Sequence, residues 1–76
     1  MDCSDIISAL KEVKHDSSAN KSIRERVDRI ISFIENDPEL GKDKAIVEIE
    51  ELLAANDIGP YLRTQIWNVV SMIESA

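Results

Sequence analysis

Seventy-six residues make a single small domain, residues 1–76, and a chain of this size buries only about 60% of the surface its unfolded form exposes. The net charge of −6 divides evenly: residues 1–39 carry nine acids and six bases, residues 40–76 six acids and three bases, so each half is −3 and neither offers a basic surface for non-specific phosphate binding. One cysteine, Cys3, excludes a disulfide framework or a cysteine-rich zinc site, and no run approaches the ~18 apolar residues of a membrane span.

The first predicted helix covers Ser4–Lys14, with Ser4 as the expected N-cap and Asp5 adding favourable negative charge to the first turn. Ile6, Ile7, Leu10 and Val13 form its apolar face. Residues 15–21, His-Asp-Ser-Ser-Ala-Asn-Lys, have no period and are rich in side chains that hydrogen-bond their own backbone, so they read as a loop. A second helix is expected from Lys21 or Ser22 to about Glu35, capped by Asn20 or a neighbour and stopped by Asn36, Asp37 and Pro38. Residues 39–42 complete the connection. A third helix is predicted over 44–55, with Asp43 as N-cap and Ala45, Ile46, Ile49, Leu52 and Leu53 as its apolar positions. After a loop at 56–60 the fourth helix runs over 62–74, with Leu62, Ile66, Val69, Val70 and Ile73 on one face. No alternating run or hairpin dipeptide points to a strand.

The fourth helix has a twin. Displaced by 39 residues, segment 23–35 lies on segment 62–74 with nine of thirteen positions matched. Arg24 falls on Arg63, Ser32 on Ser71 and Glu35 on Glu74, while six apolar pairs align from Ile23 with Leu62 to Ile34 with Ile73. The expected caps Ser4 and Asp43 obey the same offset. The predicted fold is therefore all-α: four helices as two antiparallel hairpins, residues 1–39 and 40–76, forming a HEAT-like internal repeat with a ~39-residue period.

Segment 63–71, Arg-Thr-Gln-Ile-Trp-Asn-Val-Val-Ser, resembles the C-terminal ending of a small archaeal family of uncharacterised all-helical proteins. Segment 16–24 resembles that family's first loop and helix start. Members carry a proline just before both second helices, where this sequence has Asn20 and Gly59, with Pro60 one step later. The resemblance implies an all-helical fold and an archaeal cytoplasm, and it implies no activity and no functional residues. The acidic N-terminus, which lacks a signal peptide's basic start, agrees with a cytoplasmic location.

Residues capable of chemistry are sparse. His15, Asp16 and Cys3 could be drawn as an acid–base or thiol set, but they read as a solvated loop and an idle thiol. No metal-ligand spacing, glycine-rich phosphate loop or cofactor motif is present, so no cofactor and no small-molecule substrate are indicated. Glu48, Glu50 and Glu51 read as a solvated face, with a docking strip for a basic partner as the rival. Arg24, Arg26 and Arg29 on helix two are candidate nucleic-acid contacts, set against local ion pairing with the interleaved acids. Arg24 and Arg63 also read as ties to the inter-helix loops.

Trp67 has Asp28 as its twin and lies about 115° from the centre of the apolar stripe. It is either core filler or the anchor of a protein interface formed with Arg63, Val70, Ser71 and nearby Tyr61. The sequence thus predicts a non-enzymatic interaction or assembly module, acting as a homodimer or as a subunit of a larger complex. An RNA- or ribosome-associated accessory protein using the helix-two arginines is the alternative.

Overall fold

A computed structural model describes residues 3–55 and 58–75 of the chain. It contains four helices: α1 (Ser4–Lys14), α2 (Lys21–Asn36), α3 (Leu40–Ala55) and α4 (Pro60–Ser75). No strand occurs among the described residues, and no described helix is long and apolar enough to cross a membrane.

Each boundary has a local cause. Cys3, not Ser4, occupies the N-cap position of α1, and it makes no side-chain cap bond; Ser4 is already helical. Charge assists instead, with Asp5 in the first turn and Lys11 and Lys14 in the last. The following loop folds on Asp16, whose carbonyl accepts from the Ala19 N–H at 3.0 Å and whose carboxylate accepts from the Ser18 N–H at 2.8 Å and from the Ser18 hydroxyl. Asn20 then caps α2 as expected, its side-chain oxygen accepting from the Ile23 N–H at 2.9 Å.

The third helix departs from the prediction. It begins at Leu40 rather than Lys44, and Asp43 lies inside its first turn. The capping group is Asp37. Its carboxylate accepts from the N–H groups of Glu39 and Leu40 at 3.1 and 3.2 Å, and its carbonyl accepts from Gly41 at 2.6 Å. Gly41, assigned to the connection by the sequence, is helical and serves close packing. A Cβ at this position would stand 2.0 Å from the carbonyl oxygen of Phe33, so only glycine lets the start of α3 press against the end of α2.

The helices form a ring around one core. α1 lies beside α2 and α4, and α3 lies beside α2 and α4, with the α2–α3 seam the most extensive. No other pair of helices runs side by side among the described residues. A HEAT-like stack would set α1 along α3 and α2 along α4, so the closed ring is not the solenoid arrangement expected from the period. The four helices fill an envelope of 31 × 17 × 17 Å.

The 39-residue spacing reappears in burial. Among the described residues, nine buried apolar side chains lie in 1–39 and nine in 40–76, and each in the first set has its counterpart 39 positions later. Ile6, Leu10 and Val13 of α1 match Ala45, Ile49 and Leu52 of α3. Ile23, Val27, Ile30, Ile31 and Ile34 of α2 match Leu62, Ile66, Val69, Val70 and Ile73 of α4. The ninth pair lies outside the helices, where Ala19 and Ile58 each plug the core before a second helix begins.

Candidate interaction surface

α4 turns its stripe Leu62, Ile66, Val69, Val70 and Ile73 into the core. Trp67 lies outside that stripe and is 49% exposed, so it is not core filler. Arg63 and Ser71, one turn either side of it, are exposed as well. Two of the predicted interface residues do not join them. Val70 is only 6% exposed and belongs to the core. Tyr61 is 67% exposed, but six residues from Trp67 at about 100° per residue it sits on the opposite flank of the helix. The apolar period of α4 places Val70 on the edge of the stripe; burial, not period, assigns it inward.

Trp67 differs in chemistry from the residue 39 positions before it. Asp28, 39 residues earlier, forms an ion pair with Lys14 of α1 at 2.7 Å, across the outer edge of the α1–α2 seam. The counterpart of Lys14 is Leu53, a half-buried residue of α3 packed against the core. Where one seam is edged by an ion pair, the equivalent α3–α4 positions therefore hold leucine and tryptophan.

The exposed face of α3 extends this contrast. Leu40, Val47 and Ala54, at seven-residue spacing, line its outer surface; Leu40 is 63% and Val47 56% exposed. The exposed counterparts of Val47 and Ala54 are Ser8 and His15. Val47 also borders a depression of ≈ 360 Å³ on the α2–α3 side, shared with Phe33, Asp43, Lys44, Glu48 and Glu51. Sequence reasoning missed Leu40 and Val47 because it followed the inward stripe of α3. Their i, i+7 spacing off that stripe was the available signal.

The candidate nucleic-acid residues are committed elsewhere. Arg26 donates to Glu48 at 2.9 Å and lies 3.6 Å from Glu51, and Arg29 donates to the same Glu48 oxygen at 3.2 Å. Glu48 is the buried charged residue among those described, 8% exposed, and two guanidinium groups compensate its desolvation. It is thus neither part of a solvated face nor of a docking strip. Arg24 donates to the Ala19 carbonyl at 2.7 Å, tying the first loop to α2 as the sequence implied. The Arg63 N–H donates to the Gly59 carbonyl at 3.0 Å, but its guanidinium makes no hydrogen bond or ion pair to another described residue, and Asp57, the acid preceding it, lies outside the described residues.

The residues considered for chemistry remain apart from one another in function. His15 is exposed, Cys3 is a half-buried free thiol, and Asp16 is engaged with Ser18. The Ser18 hydroxyl, and then its N–H, stabilise the Asp16 carboxylate and lower its pKa below the ordinary aspartate value. Among the described residues no group of three or more metal-ligating side chains converges.

The family model described as Uncharacterised protein family (UPF0147) matches residues 2–76. The chain belongs to that family. No curated protein and no solved structure matches it. The large apolar side chains that this UPF0147 chain exposes among its described residues lie on α3 (Leu40, Val47) and α4 (Tyr61, Trp67).

Proposed function

We propose that this chain is a small, non-enzymatic protein-interaction or assembly module that docks through its α3–α4 face, with Trp67 as anchor. A cytoplasmic location and archaeal origin belong to the same reading. The repeat accounts for the face. The two hairpins derive from duplication of a ~39-residue unit and are related by an approximate two-fold axis, which exchanges α1 with α3 and α2 with α4. That operation carries the α2–α3 seam onto the α4–α1 seam, consistent with the closed ring.

The observation that carries the proposal is where the copies differ. The nine core pairs remain apolar on both sides of the duplication. Outside the core, Lys14, Asp28, Ser8 and His15 of the first copy become Leu53, Trp67, Val47 and Ala54 of the second. A leucine and a tryptophan are not required to edge a seam of this kind, because the first copy edges its own with the Lys14–Asp28 ion pair. Val47, Ala54 and Trp67 are exposed where the first copy has polar residues, and an exposed tryptophan fits an interface anchor.

The RNA- or ribosome-associated alternative has less support. Arg26 and Arg29 face Glu48 and Glu51, which cancels their charge locally, and Arg24 is held by a loop carbonyl. Trp67→Asp tests the interaction reading, since it installs the residue of the first copy. Affinity isolation from the native host and light scattering should show loss of the complex, with helicity and melting temperature retained. An unchanged oligomer mass and partner list would overturn the reading.

A further inference from the structure

We infer that the partner on this face is a second copy of the chain, with α4 packed antiparallel against α4 of the other copy. The inference rests on the α3–α4 face being an interaction surface, and it commits that surface to one occupant. Arg63, Trp67, Ser71 and Glu74 occupy positions i, i+4, i+8 and i+11 of α4, along one exposed flank about 16 Å long. The flank has one positive end and one negative end. Neither Arg63 nor Glu74 is paired with another described residue.

That pattern is self-complementary in one orientation. About a two-fold axis passing midway between residues 68 and 69, Arg63 of each copy meets Glu74 of the other, giving one opposite-charge pair at each end. Trp67 then falls opposite the 70–71 step of the facing helix. There Val70 is buried and Ser71 offers a small side chain, which leaves room for an indole. A parallel arrangement would instead place Arg63 against Arg63 and Glu74 against Glu74. An isologous interface requires a patch that complements itself in this way. The requirement is sharper here because the whole chain carries −6 and two copies repel each other overall.

The experiment is a charge-swap cycle on the full chain, read by sedimentation equilibrium at low and moderate salt. Arg63→Glu and Glu74→Arg each place like charges opposite one another at both ends, and each should weaken dimerisation about tenfold. The double variant R63E/E74R restores both pairs in reverse and should recover wild-type affinity, while Trp67→Asp should leave monomer. Circular dichroism accompanies each variant. If Arg63→Glu alone lowers helicity, Glu74→Arg and the salt dependence of the wild type carry the comparison. A wild-type dimer indifferent to both single changes overturns the antiparallel α4 arrangement. A wild type that stays monomeric, yet binds a different host protein through Trp67, overturns the second-copy inference and leaves the interaction reading standing. Monomer with no Trp67-dependent binding overturns both.

Discussion

Replacing Gly41 by alanine should destabilise the protein sharply, although the same exchange inside an ordinary helix stabilises by about 1 kcal/mol. The new Cβ would lie 2.0 Å from the Phe33 carbonyl oxygen, 2.6 Å from its carbon and 3.2 Å from the Ile34 Cα. All three are backbone atoms of α2, and the Phe33 carbonyl is held in place by accepting from the Asp37 N–H at 3.2 Å. Favourable carbon contacts lie at about 3.5–4.0 Å, so the first turn of α3 must retreat from α2 by about 1 Å or more. That movement loosens the most extensive seam in the ring, where Arg26 and Arg29 reach Glu48. Overpacking of this kind costs about 1–3 kcal/mol, and a clash with backbone belongs at the upper end. A chain of this length has about 4–11 kcal/mol in total. A loss of about 3 kcal/mol corresponds to a fall in melting temperature of about 12–24 °C. Thermal and urea unfolding followed by circular dichroism measure it, the urea midpoint falling at constant slope. A melting temperature equal to or above wild type would refute the close-approach role of Gly41 and with it the placement of the α3 start.

Four further outcomes follow from named contacts. Asn20→Ala removes the cap of α2 and should cost about 1 kcal/mol, seen as a melting temperature lower by roughly 4–8 °C. Gly59→Asn places the equivalent capping residue before α4, where a Cβ meets nothing within 4 Å, and should raise stability by a few tenths of a kcal/mol. Glu48→Ala leaves Arg26 and Arg29 without their shared acceptor. Because Arg29 is 58% exposed and remains solvated, the loss should fall below the roughly 3–5 kcal/mol of a fully buried pair. The equilibrium urea midpoint reads that loss, and an unchanged midpoint would show that the cluster is not needed. Asp16 has a folded pKa below its unfolded value near ~3.9, so its contribution is present above that value and disappears as pH falls through the folded pKa. Carboxyl NMR titration should show Asp16 becoming protonated late on acidification, and Ser18→Ala should return it toward the ordinary value.

The core was readable in the sequence because helical period and the 39-residue offset report the same residues. Ile30 and Val69, for example, are apolar, in phase and equivalent, and both are buried. Features that depend on two distant segments were not readable. Gly41 looks like part of a connection until the Phe33 carbonyl is placed beside it. Glu48 looks solvated until two arginines 22 and 19 residues earlier in the chain reach it. Asp37 precedes a proline and reads as the end of α2, while its carboxylate also starts α3. Ring closure through α1 and α4 has no local marker at all, and the 39-residue period alone fits a stack as well as a ring. On the surface, the mismatch of Trp67 with Asp28 was visible in the sequence, whereas the exposure of Trp67 and the positions of Val70 and Tyr61 needed burial and helix phase.

Trp67 is the single tryptophan of the chain, so its fluorescence reports on the proposed interface without labelling. Acrylamide quenching of Trp67, measured on the dilute monomer and on the assembled species separated by gel filtration, tests the account most directly. Docking through the α3–α4 face predicts a blue-shifted emission and a quenching constant several-fold lower in the assembly. Equal quenching in both species would place the tryptophan outside the interface and contradict the account.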